Sequence, residues 1–460
     1  MSRPRNVLLG LFLLLAGGCA VHPPAPVAPA EMCRFVRHDL QVEIPGGSDA
    51  NASLTGDARA EPTLASQLRA TLGAGTSLTG DAPAMLFLSG GSLHGAFGAG
   101  FLHGLAQRPG GLPEFKVVTG ISTGSILATF AFLGDTQKLV EGYSITNESE
   151  LLTPYIRIRN GRPTLTSLIS VLKHGAVASL EPLRGRLREE FTPAVLWQVR
   201  QRHMDGRRLY VGVVDVDTGT AVAFDMGEMA SRYFPDGQEA AEGAAETPAQ
   251  ARVRDCYVAA VLASSSAPLA APPVFIDNRM YVDGGARFGM FSDEIGSVIV
   301  DEASLVPNAA ERTDVYLIVN GTLRIDENCG KARPQGAPEP CPPYGALEGA
   351  HADWNLIELA GRSEGILVNQ VYRFSAERIL ERDPSNPPYF ARMNPDSDAH
   401  VYTMPAGSGL GTGTMNCAAW KEEDKRLLNP VQFYPRYMRC LIDYGSVRGA
   451  AGQWDFQPPP

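Results

Sequence analysis

The chain has 460 residues, with 40 Lys and Arg against 50 Asp and Glu, a formal net charge of −10. That acidic balance excludes the basic footprint of a nucleic-acid binder, and 44% hydrophobic with 20% charged residues excludes a disordered chain. Away from the N-terminus no run of about 18 apolar residues occurs, which excludes a multi-pass membrane protein.

Arg3 and Arg5 precede an apolar stretch over residues 7–16, too short to span a bilayer, and Gly17-Gly18-Cys19 follows. A positive start, a short apolar core and small residues before a break read as an export signal over residues 1–18. The cysteine directly after the small residues resembles a bacterial lipoprotein signal, with Ala16 standing where such signals usually carry Leu. The resemblance implies cleavage before Cys19 and lipidation there. With Ala20 rather than Asp next, it also implies an outer-membrane lipoprotein facing the periplasm or the cell surface. The Pro- and Ala-rich residues 21–30 read as an extended tether, within a lead-in over 19–80 that lies mostly on the surface.

From residue 81 strands and helices alternate. Residues 85–88 form a short apolar strand that breaks into Ser89-Gly90-Gly91, and residues 95–105 have helical spacing, with Phe97, Phe101, Leu102 and Leu105 on one side. Residues 115–119 predict a second strand and 123–133 a second helix. Two strand, Gly-turn, helix units in about 50 residues signal a parallel sheet with helices packed on it. Residues 209–216 and 221–224 read as a strand and its return around Asp217-Thr218-Gly219. Residues 274–276 and 280–282 read as a hairpin around Asp277-Asn278, and 314–319 as a further strand. Residues 353–382 are helical, with a break expected near Gly361 or Gly365. Residues 235–249 and 333–345 read as loop insertions. No clean linker divides the α/β domain over 81–450, which leaves a tail at 451–460.

Export allows disulfides among the six remaining cysteines, Cys33, Cys256, Cys329, Cys341, Cys417 and Cys440. Fifteen connectivities are open; Cys329–Cys341 and Cys417–Cys440 are natural short closures, and Cys256, inside an apolar stretch, reads as a buried free thiol. Without CxxC or HxxxH spacing no zinc site is implied.

Three glycine-linked motifs carry the candidate chemistry. Gly120-Ile121-Ser122-Thr123-Gly124 lies between a strand and a helix, the context in which G-x-S-x-G exposes a serine on a sharp turn. Neighbours two residues away must be small for helix and strand to approach, and the helix N-terminus favours negative charge developing at the hydroxyl. A serine in that place can also be read simply as a helix N-cap. Ser89-Gly90-Gly91-Ser92-Leu93-His94-Gly95 offers backbone N–H groups of the kind an oxyanion needs. It lacks the Gly-Lys-Ser/Thr ending of a phosphate-binding P-loop. Tyr281-Val282-Asp283-Gly284-Gly285 is by itself a turn, but a serine nucleophile needs a base, and a desolvated carboxylate can serve.

In this chain order the three motifs resemble the patatin-like phospholipases over residues 84–320, and Ala263-Ser264-Ser265-Ser266-Ala267-Pro268 is similar to the family's helix end before its aspartate. The resemblance implies a three-layer α/β sandwich with a mostly parallel central sheet and helices on both faces. It implies a lipid acyl hydrolase with a Ser–Asp dyad, Ser122 as nucleophile and Asp283 as base. Gly90, Gly91, Ser92 and Gly95 would form the oxyanion loop, and the Thr123 amide would add a donor. Two positions depart from the family's G-G-G-x-Arg/Lys-G: Ser92 replaces the third glycine, where a positive φ would strain it, and His94 replaces the basic residue.

The expected function is hydrolysis of a carboxylic ester, such as a phospholipid or other lipid acyl chain. No cofactor and no metal are implied, and the one partner implied beside the substrate is the membrane, through lipidated Cys19. The departures at Ser92 and His94 motivate a second reading, an impaired lipoprotein that binds a lipid or a partner. A Ser–His–Asp triad through His351 or His400 fits the α/β-hydrolase chain order, but neither histidine sits in a Gly-rich strand-end context.

Overall fold

The computed structural model describes residues 33–40, 83–156, 174–239, 244–292, 313–325, 356–381 and 385–457, with isolated positions at 64, 68, 71, 158–159, 162–163, 170–171 and 241. The export signal, Cys19, the tether, Cys329, Cys341, the insertion at 333–345 and His351 lie outside the described residues.

The strands longer than two residues are β1 (Arg37–Leu40), β2 (Ala84–Leu88), β3 (Phe115–Ile121), β4 (Arg208–Asp215), β5 (Thr220–Asp225), β6 (Val274–Ile276), β7 (Arg279–Asp283), β8 (Asp314–Val319), β9 (Tyr389–Arg392), β10 (Val401–Met404) and β11 (Gly413–Asn416). The helices are α1 (Gly95–Ala106), α2 (Thr123–Leu133), α3 (Thr136–Tyr143), α4 (Glu181–Glu190), α5 (Pro193–Met204), α6 (Met226–Arg232), α7 (Pro248–Ser265), α8 (Leu356–Leu380), α9 (Cys417–Leu427) and α10 (Pro435–Ala451). The main sheet runs β1-β5-β4-β3-β2-β8-β9, with β7 pairing on β4 and β6 on β7. Its five consecutive strands from β4 to β9 are parallel, while β1, β5, β6 and β7 pair antiparallel.

The sequence of β2, Ala-Met-Leu-Phe-Leu, explains its central place. Ala84, Leu86 and Leu88 face one core, with Phe97, Leu127 and Leu441. Met85 and Phe87 face the other, with Val117, Leu317 and Ile379. A strand buried on both faces reads as a continuous apolar run, and each Leu or Phe buried there contributes on the order of 1.5–3 kcal/mol. Helices therefore cover both faces of a mostly parallel sheet, as expected.

From β2 the chain steps to β3 and β4 on one side, then returns to place β8 and β9 on the other. Where strand order reverses in an open sheet, a crevice forms beyond the carboxyl ends of the strands. Residues 89–94 after β2 and Asn320 after β8 stand there.

Three expectations are corrected. The lead-in does not lie mostly on the surface where it is described: Cys33, Phe35, Leu40, Leu64 and Leu68 are buried, Phe35 stacks on Phe224, and β1 adds to the sheet against β5. Cys256 is not a free thiol but is bonded to Cys33. The partner lies 223 residues away in sequence, so no local spacing announced it; β1 brings it over α7. The long helix does not break near Gly361 or Gly365 but runs unbroken from Leu356 to Leu380. A glycine costs a helix only about 1 kcal/mol, and burial of Tyr372, Ala376 and Ile379 outweighs that. Cys417–Cys440 forms as expected, joining α9 to α10.

Candidate active site

Ser122 stands alone between β3 and α2 at φ 55°, ψ −127°, a backbone region that costs a residue with a Cβ about 1–3 kcal/mol. The surroundings hold it there. A Cβ at Gly120 would overlap the Gly124 carbonyl, and one at Gly124 would stand 2.7 Å from Ser89 O, so β2, β3 and α2 meet backbone to backbone. The Ser122 amide donates to Ser264 Oγ at 2.9 Å, and Ser264 Oγ donates to Gly212 O at 2.7 Å. Ser125 Oγ donates to Ser122 O at 2.6 Å.

Asp283 ends β7, buried to 4% exposure. Its own amide donates to Ser266 O at 3.0 Å, so the end of α7 fixes both motifs, through Ser264 for the serine and Ser266 for the aspartate. Oδ1 accepts the Gly285 amide at 2.7 Å, and the Ser122 side chain stands near enough to the carboxylate to favour its ionised form. Burial pushes the Asp283 pKa up to about 7; Ser122 and the Gly285 amide oppose that shift, and the nearby Glu364 charge adds to it. A carboxylate poised there can take a proton at neutral pH.

The loop after β2 turns through Gly91 at φ 151° and Ser92 at φ 54°. Gly91 is required, because a Cβ would overlap the Asn320 backbone carbonyl. Ser92 adopts the left-handed conformation that the missing glycine would have taken freely, at about 1–2 kcal/mol. Its Oγ accepts from Gln432 Nε2 at 2.6 Å. Gln432 is itself held by Glu148, whose carboxylate accepts the amides of Val431, Gln432 and Phe433 at 2.5–2.8 Å. His94 packs edge-on against Tyr437, and burial, with Lys421 nearby, lowers its pKa to about 4. It is therefore neutral at pH 7 and brings no cation to the loop.

Of the other expected loop residues, Gly95 opens α1, turns its amide back to Ser92 O and makes room for the Thr123 and Tyr143 side chains. Gly90 is covered by the Tyr372 hydroxyl, which a Cβ there would overlap. The amides of Gly91 and Thr123 have no acceptor among the described residues, which leaves two backbone donors beside Ser122. Asn320 braces the loop, its amide donating to Ser89 Oγ at 2.9 Å and its Nδ2 to Ser89 O at 2.7 Å. His400 bonds Asp443 Oδ2 at 2.8 Å and hydrogen-bonds neither Ser122 nor Asp283.

An apolar cavity of about 120 Å³ opens beside Ser122 and follows α2 past Thr123, Ile126, Leu127 and Phe130, with Leu183, Leu187 and Phe433 opposite. Lys138 and Glu190 also line it, paired at 3.0 Å and both partly exposed. Such a cavity suits an aliphatic chain, with Ser122 at its polar end. Among the described residues no group of three or more His, Cys, Asp or Glu could hold a metal, and no helix is long and apolar enough to cross a membrane.

Sequence reasoning found Ser122, Asp283, the glycine loop and the serine-rich helix end that holds Ser264, though not the role of Ser264, and it missed Asn320, Gln432 and Tyr372, which no motif spacing marks. Residues 86–291 match the family model of the patatin-like phospholipases, a segment that contains both Ser122 and Asp283 and ends before Asn320 and Tyr372. No curated protein matches the chain.

Proposed function

We propose that this chain, whose residues 86–291 form a patatin-like phospholipase domain, hydrolyses lipid carboxylic esters with Ser122 as nucleophile and Asp283 as its base. The observation that carries the reading is Ser122, held on its strained turn, beside a buried carboxylate that its side chain helps to ionise and whose pKa burial pushes up to about 7. Asp283 takes the hydroxyl proton as Oγ attacks the ester carbonyl. The oxyanion of the tetrahedral intermediate accepts from the free amides of Gly91 and Thr123, at the N-terminus of α2. Collapse expels the alcohol, to which Asp283 returns the proton, and leaves the acyl group on Ser122. Water activated by Asp283 then releases the acid. The acyl chain occupies the cavity along α2. The two free amides favour this reading over an impaired binding module, since Ser92 takes the required turn despite its side chain.

A fluorophosphonate probe tests it: wild-type protein should be labelled, and Ser122→Ala should not. Absence of labelling and of ester turnover in the wild type would favour the binding module instead. Because Asp283 acts as a base, kcat/KM should rise with pH and level off above an apparent pKa of about 7. A profile flat from pH 5 to 8 would remove Asp283 from that role.

Export and lipidation at Cys19 complete the proposal. The bonds Cys33–Cys256 and Cys417–Cys440 support an oxidising compartment, and a lipid anchor would hold the enzyme beside its substrate. Cys19→Ser should move the protein from the membrane fraction to the soluble fraction of the cell envelope; retention with the membrane would overturn the anchor.

A further inference from the structure

We propose that the Tyr372 hydroxyl is a third donor to the oxyanion formed on Ser122, a catalytic role that rests on the Ser122 reading. Tyr372 comes from α8, outside the segment matched to the family. A methyl group placed on Gly90 would overlap the Tyr372 hydroxyl and stand 2.8 Å from Ser122 Cβ. One placed on Gly285 would lie 2.6 Å from the same hydroxyl and 3.1 Å from Asp283 Oδ1. The phenol oxygen thus stands near both members of the dyad, across Gly90 from Ser122 and across Gly285 from Asp283.

Its hydrogen bonding leaves the proton available. The oxygen stands against the Gly90 backbone, whose amide dipole favours negative charge on it, and no acceptor for its own hydrogen occurs among the described residues. That amide dipole polarises the O–H and strengthens it as a donor. Burial, with the charges of Asp283 and Glu364, holds the phenol well above its ordinary pKa, so it remains protonated throughout the range in which Asp283 works.

The hydroxyl is also fixed in place. A Cβ at Gly289 would lie 2.7 Å from Tyr372 Cα, and the Gly289 amide donates to Ser375 Oγ at 3.0 Å, so α8 is seated on the turn that follows Asp283. A donor held before the reaction begins costs no reorganisation when charge develops. This one stands where the loop is otherwise weakest, since the phenol covers Gly90 and His94 is uncharged. The phenol conveys the Gly90 amide's polarisation to the oxyanion, and no proton changes hands.

Tyr372→Phe keeps the ring and removes only the hydroxyl. In the full chain, fluorophosphonate labelling of the wild type first establishes Ser122 as nucleophile; if it fails, the failure belongs to the Ser122 reading. With labelling in hand, Tyr372→Phe should lower kcat for a p-nitrophenyl ester by about 10²–10³ and leave KM within about twofold. Affinity for an alkyl trifluoromethyl ketone, which adds to Ser122 as a tetrahedral oxyanion, should fall by a similar factor. Affinity for the corresponding methyl ketone, which does not add, should stay constant. Unchanged kcat would overturn the proposal. So would raised kcat, which would make the phenol an obstruction of the Gly90 amide. A fall in kcat with full trifluoromethyl ketone affinity would also overturn it, because the hydroxyl would then act only by positioning the loop.

Discussion

Asp283→Asn is expected to lower kcat/KM for ester hydrolysis by about 10³–10⁴, and Ser122→Ala to abolish turnover to background. Asparagine is isosteric, and its Oδ1 can still accept the Gly285 amide that Asp283 accepts at 2.7 Å, so the turn at Gly284 survives. What disappears is the carboxylate proposed to take the Ser122 proton. Because desolvation dominates the shift of Asp283 to about 7, a neutral side chain is well tolerated there, and both variants should fold. Circular dichroism and thermal unfolding check that, beside turnover of a short-chain p-nitrophenyl ester. Ser122→Gly makes a sharper comparison. It should be equally inactive yet more stable than wild type by about 1–3 kcal/mol, because glycine relieves the backbone at φ 55°, ψ −127°. Full activity in folded Asp283→Asn would dismiss the dyad.

Loss of the Cys33–Cys256 bond is expected to destabilise the protein by about 2–5 kcal/mol, a fall in Tm of roughly 2–6 °C for a domain of this size. The bond closes a loop of 223 residues that contains β2, β3, β4 and Ser122, so its removal releases much chain entropy in the unfolded state. It also frees β1, which is held besides by a four-residue pairing with β5 and by the Phe35–Phe224 stack. Cys33→Ala together with Cys256→Ala avoids leaving a reactive thiol. Calorimetry of this double variant measures the effect, and an unchanged Tm would show that the bond itself adds nothing to the stability of the fold. Ester turnover below the new Tm should be close to wild type, since neither cysteine approaches the site.

The parts of the site that the sequence disclosed are those whose physics is local. Gly120, Gly124 and Gly91 are glycines because backbones meet at those positions, and their spacing around Ser122 and after β2 is visible in the string itself. Asp283 could be paired with Ser122 only through the order of the motifs and the family they resemble. The departures at Ser92 and His94 were equally legible, but their consequences were not. Ser92 does take a positive φ, yet Gln432, 340 residues away, grips its hydroxyl. His94 turns to Tyr437 rather than acting as a cation in the loop.

By itself, then, the sequence determined the alternation of strand, Gly-turn and helix, the two-faced apolar β2, the serine turn and the carboxylate that follows a hairpin. Each depends on residues within a few positions of one another, where propensity, periodicity and turn chemistry act directly. Tertiary structure alone decided the rest. It bonded Cys33 to Cys256, kept α8 continuous through its glycines, set Ser264 and Ser266 under the two motifs, and brought Tyr372 to the Gly90 amide. Those outcomes depend on which surfaces meet when the sheet closes its two cores, and a pairing across hundreds of residues leaves no local pattern to be read.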